Sequence, residues 1–128
     1  MNTYFWFALL AATQSLLLLA LALNVSRIRM RHKISLGDGN NKALMAAIRT
    51  HSNSIEQAPC FVLVVLALTL IDATSPMLPV LVIGFTLARL AHAWGMLYRV
   101  FMARRIGAGL TYVFQLLAII AVLHALLA

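Results

Sequence analysis

Apolar residues dominate this chain in four long runs, and the breaks between the runs are where its polar residues collect. Residues 4–25 are apolar apart from Thr13, Gln14, Ser15 and Asn24, which meets the requirement of about 20 residues for a helix to cross a bilayer. A second continuous run, residues 58–71, extends backwards to residue 43 with the spacing of an amphipathic helix. Residues 79–101 form a third run and residues 108–127 a fourth. Between the first two lies SLGDGNNK, rich in turn formers, and between the second and third lies DATSPMLP, where Pro76 and Pro79 suit a helix start. The pattern predicts an all-α membrane protein, a bundle of four transmembrane helices built as a single domain over residues 1–128. Ala20-Leu21-Ala22 imitates a signal-peptide cleavage site, but the leader MNTYFWF has no positive charge and the basic RIRMRHK follows at once. The first run is therefore expected to remain as a span.

Composition narrows the partners. Apolar residues make up 63% of the chain and charged residues 10%, a balance that excludes an ordinary soluble domain. Ten Lys and Arg against three acids give a net charge of +7, which suits either a nucleic acid or an anionic membrane surface. The apolar content decides for the lipid bilayer, and no nucleic-acid partner is expected. A lone cysteine, Cys60, forms no internal disulfide and offers no metal-binding spacing, so it reads as a small apolar core residue.

The positive charges are unevenly placed. Arg27, Arg29, Arg31, Lys33 and Lys42 lie in or beside the first connection, and Arg99, Arg104 and Arg105 surround the third, while the second connection has none. By the positive-inside rule the first and third connections face the cytoplasm and both termini face the opposite side.

Against this background RTHSNSIEQAP, residues 49–59, is anomalous, because it runs straight into CFVLVVLALTL. Charge at membrane depth is costly and by default marks function. Arg49, Asn53 and Glu56 are spaced i, i+4, i+7 and share one helix stripe. Counted back from Ile71, Glu56 lies about 22 Å from the far surface, and counted from Pro79, Arg89 lies about 15 Å and His92 about 20 Å from that surface. Arg89, His92, Met96 and Arg99 form a second stripe, so two polar stripes are expected to meet, with Glu56 pairing Arg89. That pair reads equally as a structural clasp setting helix register. Arg49 is left over by such a clasp, which favours a ligand site. The remaining arginines also serve simply as anchors in an anionic leaflet. His51 and His92 with Glu56 match no metal motif, and no metal is expected.

These residues carry a resemblance. RTHSNSIEQAP resembles the R-A-x-x-N-x-x-E-x-x-P signature of the MAPEG family, the membrane-associated proteins in eicosanoid and glutathione metabolism, and ARLAHAWG is similar to that family's A-R-x-x-x-x-x-G stretch. The likeness extends over nearly the whole chain, and RMRHKISLGDGN followed by AIRTHSNSIE looks most like the small bacterial inner-membrane members. The resemblance implies a homotrimer that binds glutathione as co-substrate between subunits near the cytoplasmic side, acting on a small hydrophobic molecule as a transferase or peroxidase. Arg49, Asn53 and Glu56 match the binding motif one by one. Arg29, Arg89 and His92 join them as candidate ligand-binding residues, and Arg104 or Arg105 is the candidate that draws the thiol to its thiolate.

The departures from the pattern point to an alternative. Met45 and Ala46 stand where many catalytic members have a Glu-Arg pair, and His92 and Met96 replace tyrosines. A non-catalytic member that binds lipid or a protein partner is therefore the second reading. A small four-helix transporter is the third, but it would carry its essential acid in the first span, which here has none.

Overall fold

In the computed structural model the described residues are 4–71 and 76–128, and they form four helices: α1 (Phe5–His32), α2 (Lys42–Leu70), α3 (Met77–Leu97) and α4 (Phe101–Leu127). Each is long and apolar enough to cross a membrane. The four-helix, all-α architecture expected from the hydropathy pattern is thus the one observed. Part of the expected DATSPMLP turn lies outside the described residues, as do the first three residues of the leader.

Helix ends depart from the ends of the apolar runs. α1 continues past residue 25 through Arg27, Arg29 and Arg31, and α4 starts at Phe101 rather than at residue 108. Arginine is a good helix former, and near a helix C-terminus its charge also suits the helix dipole, so leaving the apolar run does not end the helix. At 1.5 Å per residue the 28 residues of α1 measure about 42 Å, more than a hydrocarbon layer of about 30 Å. The basic ends of the helices therefore project beyond the apolar layer.

The first connection is closed by local bonds. Lys33 caps α1 in the left-handed conformation with φ 56°, its N–H donating to the Arg29 carbonyl, as such caps satisfy orphan carbonyls. The Arg29 guanidinium donates to the Gly37 carbonyl at 2.8 Å and the Ile34 carbonyl at 3.4 Å. Asn41 then caps α2, its side-chain oxygen accepting from the Leu44 N–H at 2.9 Å. This connection lies between α1 and α2, whose buried Ile28, Leu44 and Ala47 form a small apolar cluster.

The larger cluster fills the other half of the bundle. Leu10 of α1, Phe61 and Val65 of α2, Leu81 and Phe85 of α3 and Ala118 of α4 are all buried there. Phe61 and Phe85 stack with centroids 3.8 Å apart and rings 5° from parallel. Lipid tails are as apolar as these side chains, so close packing rather than expulsion from water holds this half together. Small residues permit the closest approach, which is between α3 and α4. A methyl group added at Gly95 would strike the backbone of Arg104, one at Gly107 the backbone of His92 and Ala88, and one at Gly84 the ring of Phe114. The turn between these helices is three residues, with Arg99 left-handed at φ 57° and the Val100 N–H donating to the Gly95 carbonyl at 3.0 Å.

Candidate functional site

One face of α2 lines a cleft at the basic half of the bundle. Lys42, Met45, Ala46, Arg49, Ser52, Asn53 and Glu56 recur at i+3, i+4 and i+7, the spacing of one helix face. The opposite wall comes from His92, Gly95 and Met96 at the end of α3, Arg99 in the turn, and Phe101 and Arg104 at the start of α4. The cleft holds about 810 Å³, and binding sites for small molecules run from about 300 to 1,000 Å³. Four of its charges are positive, from Lys42, Arg49, Arg99 and Arg104, and one is negative, from Glu56.

Behind this lining lies a second, buried layer built on Arg89. Its side chain is only 1% exposed, and the guanidinium bridges three helices. Nη2 donates to Asn53 Oδ1 at 2.6 Å and to Ser54 Oγ at 3.2 Å, both on α2, while Nη1 donates to Thr111 Oγ1 of α4 at 3.3 Å. His92 Nδ1 lies 3.5 Å from Nη2, at the edge of hydrogen-bonding range. The Nε–H is buried without a hydrogen-bond partner. Thr111 in turn donates to the Gly107 carbonyl at 2.7 Å, so its oxygen is oriented to accept from Arg89.

The expected pairing of Glu56 with Arg89 does not form. Depth brought the two residues within side-chain reach, but the rotation of α2 decides which side chain faces inward. Ser54 is buried, Asn53 is half-buried, and Glu56 is exposed on the cleft side. Three neutral oxygens solvate the guanidinium in place of a carboxylate, and Glu56 is left without an ion-pair partner among the described residues. Such a deep cation with only neutral acceptors is tolerable because each bond to a charged donor is stronger than a neutral one.

The other sequence candidates separate by position. Arg49, Asn53, Glu56, His92 and Arg104 come together on the cleft, and Arg105 is exposed but lies outside the lining. Arg29 is also outside it, engaged with the loop carbonyls of Ile34 and Gly37. Ser54 and Thr111 escaped the sequence reading. Ser54 is adjacent to the recognised stripe but one position around the helix, and Thr111 sits on a helix whose apolar run gave no reason to single it out. Lys42 and Phe101 were likewise missed as lining residues, although Lys42 continues the Arg49 stripe seven residues earlier.

The sequence profile of the MAPEG family matches residues 7–124, which takes in most of α1 and α4, all of α2 and α3, and every residue of the cleft. The chain belongs to the MAPEG family. Among curated relatives of this MAPEG protein are the inner membrane protein YecN of Escherichia coli K12 and the protein of the same name from Escherichia coli O6:H1. Each is 34% identical over 114 residues, covering 89% of this chain and 87% of the relative. The MAPEG chain described here thus shares nearly its full length with these proteins.

Proposed function

We propose that this MAPEG protein resides in a bacterial inner membrane, assembles as a homotrimer, and binds glutathione in the cationic cleft for use against a hydrophobic electrophile, as a transferase or peroxidase. The observation that carries this reading is the charge pattern of the lining, four cations and one unpaired acid. Glutathione offers the complement: two carboxylates for cationic donors, and an ammonium for Glu56. Arg49 is assigned to a carboxylate. Arg104 is assigned to the thiol, since a cysteine-type thiol with pKa of about 8.5 needs nearby positive charge to reach the nucleophilic thiolate. The thiolate then forms a C–S bond with an electrophilic carbon as the leaving group departs with its electron pair.

Exposure of the cleft supports the trimer. Glu56 is exposed in the single chain, yet it stands 14 residues before the end of α2, about 21 Å along the helix. At that depth an ionised carboxylate facing lipid would be strongly disfavoured, so a neighbouring copy closing the cleft accounts for its tolerance. The same charge asymmetry supports cytoplasmic first and third connections. Reporter fusions at Gly37 and after Ile106 are expected to report the cytoplasm, and a fusion at the C-terminus the opposite side; a cytoplasmic C-terminus overturns this orientation.

Glutathione binding to detergent-purified protein, measured by calorimetry, tests the proposal directly. Saturable binding at or below millimolar concentration is expected, and its absence moves the function to a second reading, a non-catalytic protein that binds lipid or a partner. A specific observation favours that alternative: Met45, Ala46 and Met96 line the cleft with nonpolar groups, where the catalytic pattern has charged residues and a tyrosine.

A further inference from the structure

We infer that Arg89 acts from behind the cleft as a positioning residue, holding the Asn53 amide so that its NH2 group faces the ligand and the site demands a hydrogen-bond acceptor at that point. This rests on the glutathione reading for the identity of the ligand, though not for the orientation of the amide.

A guanidinium has donors and no acceptor. The 2.6 Å contact of Arg89 Nη2 with Asn53 therefore requires the amide oxygen at that end, and the planar amide turns Nδ2 the other way. Asn53 lines the cleft and is half-buried, and Nδ2 has no partner among the described residues. It is also absent from the buried groups that lack one, which among those residues comprise Arg89 Nε alone. Nδ2 is therefore accessible. Arg89 cannot itself do this work, because it is 1% exposed and outside the lining.

The charge of Arg89 strengthens the effect. A bond from a cation to the amide oxygen polarises the group and makes its N–H a better donor. The longer contact with His92 acts in the same sense: an acceptor role for Nδ1 leaves the proton of the neutral ring on Nε2. Arg89 thus turns acceptors inward and donors outward on this wall.

Substitution of Asn53 by aspartate separates this role from a purely structural one. Asn53→Asp keeps the shape, exchanges a neutral bond to Arg89 for an ion pair, and replaces the outward NH2 with an oxygen. Its thermal stability in detergent is expected to equal or exceed that of the wild type, and its glutathione affinity to fall at least about 10-fold. Ser54→Ala provides the opposite pattern, since Ser54 bonds the same Nη2 but lies outside the cleft lining: stability should fall and affinity should stay within about twofold of the wild type. A destabilised or unfolded Asn53→Asp, or one that keeps its affinity for glutathione, overturns the inference. If the wild type itself binds no glutathione, the proposed function fails, and the amide orientation is decided by stability alone. The order Asn53→Asp at or above wild type, with Asn53→Ala below it, then supports the orientation, and any other order overturns it.

Discussion

The two halves of the bundle are held together by different physics. In the half around Phe61 and Phe85, buried side chains from all four helices meet without a polar group between the rings. In the basic half, Arg89 of α3 is hydrogen-bonded to both α2 and α4, and Gln115 of α4 adds bonds to Gln57 of α2. Apolar contacts in a membrane gain little from leaving lipid, so the first half depends on how well surfaces fit. Hydrogen bonds are directional, and the second half therefore specifies how each helix is rotated about its axis. Tight apolar packing can serve as a foundation for many functions, whereas the orientation of Asn53 depends on the Arg89 guanidinium.

This contrast is open to attack from both sides. Phe85→Ala should produce the largest effect, a loss of about 3–5 kcal/mol, because it removes a fully buried ring and its stacking partner's contacts. Glutathione affinity of the protein that remains folded should be unchanged, and thermal unfolding followed by calorimetry measures both. A parallel loss of affinity would show the halves to be coupled. Arg49→Lys attacks the other half. It keeps the positive charge but loses the planar fork, and no protein partner of Arg49 is disturbed among the described residues. Affinity should drop by roughly 10-fold to 150-fold, the equivalent of about 1.5–3 kcal/mol, while the unfolding temperature stays put; an unchanged affinity would remove Arg49 from the site. Gly107→Ala tests the seam between them. Its methyl would press on the backbone of His92 and Ala88, and an overpacking cost of about 1–3 kcal/mol is expected, together with a weaker glutathione site because His92 is displaced. A neutral result would mean that α3 and α4 separate without penalty.

The sequence disclosed these halves unequally. Four spans were legible because apolar runs of bilayer length have few alternatives, and the α2 stripe was legible because charge interrupts one of them. Helix ends were not, since Arg27 to Arg31 and Arg104 to Arg105 are as helical as the apolar residues beside them. The partner of Arg89 was misjudged for a different reason. Counting residues gives depth along a helix but not rotation about it, and opposite charges within reach in depth suggested a pair that rotation forbids. Gly95 was marked only as the end of the ARLAHAWG signature and Gly107 not at all, because the packing role of each lies in the helix that approaches it.

The tight turn between α3 and α4 has a consequence for how the protein is made. Only residues 98–100 separate the two helices, and their closest contacts, Gly95 with the Arg104 backbone and Gly107 with that of His92, are near neighbours in sequence. Contacts of short sequence separation cost little chain entropy to close. α3 and α4 are therefore suited to enter the bilayer as a preassembled hairpin. Arg89 is completed in that hairpin only in part, through Thr111; its bonds to Asn53 and Ser54 wait for α2. The orientation of the Asn53 amide is thus set when the hairpin docks against α2.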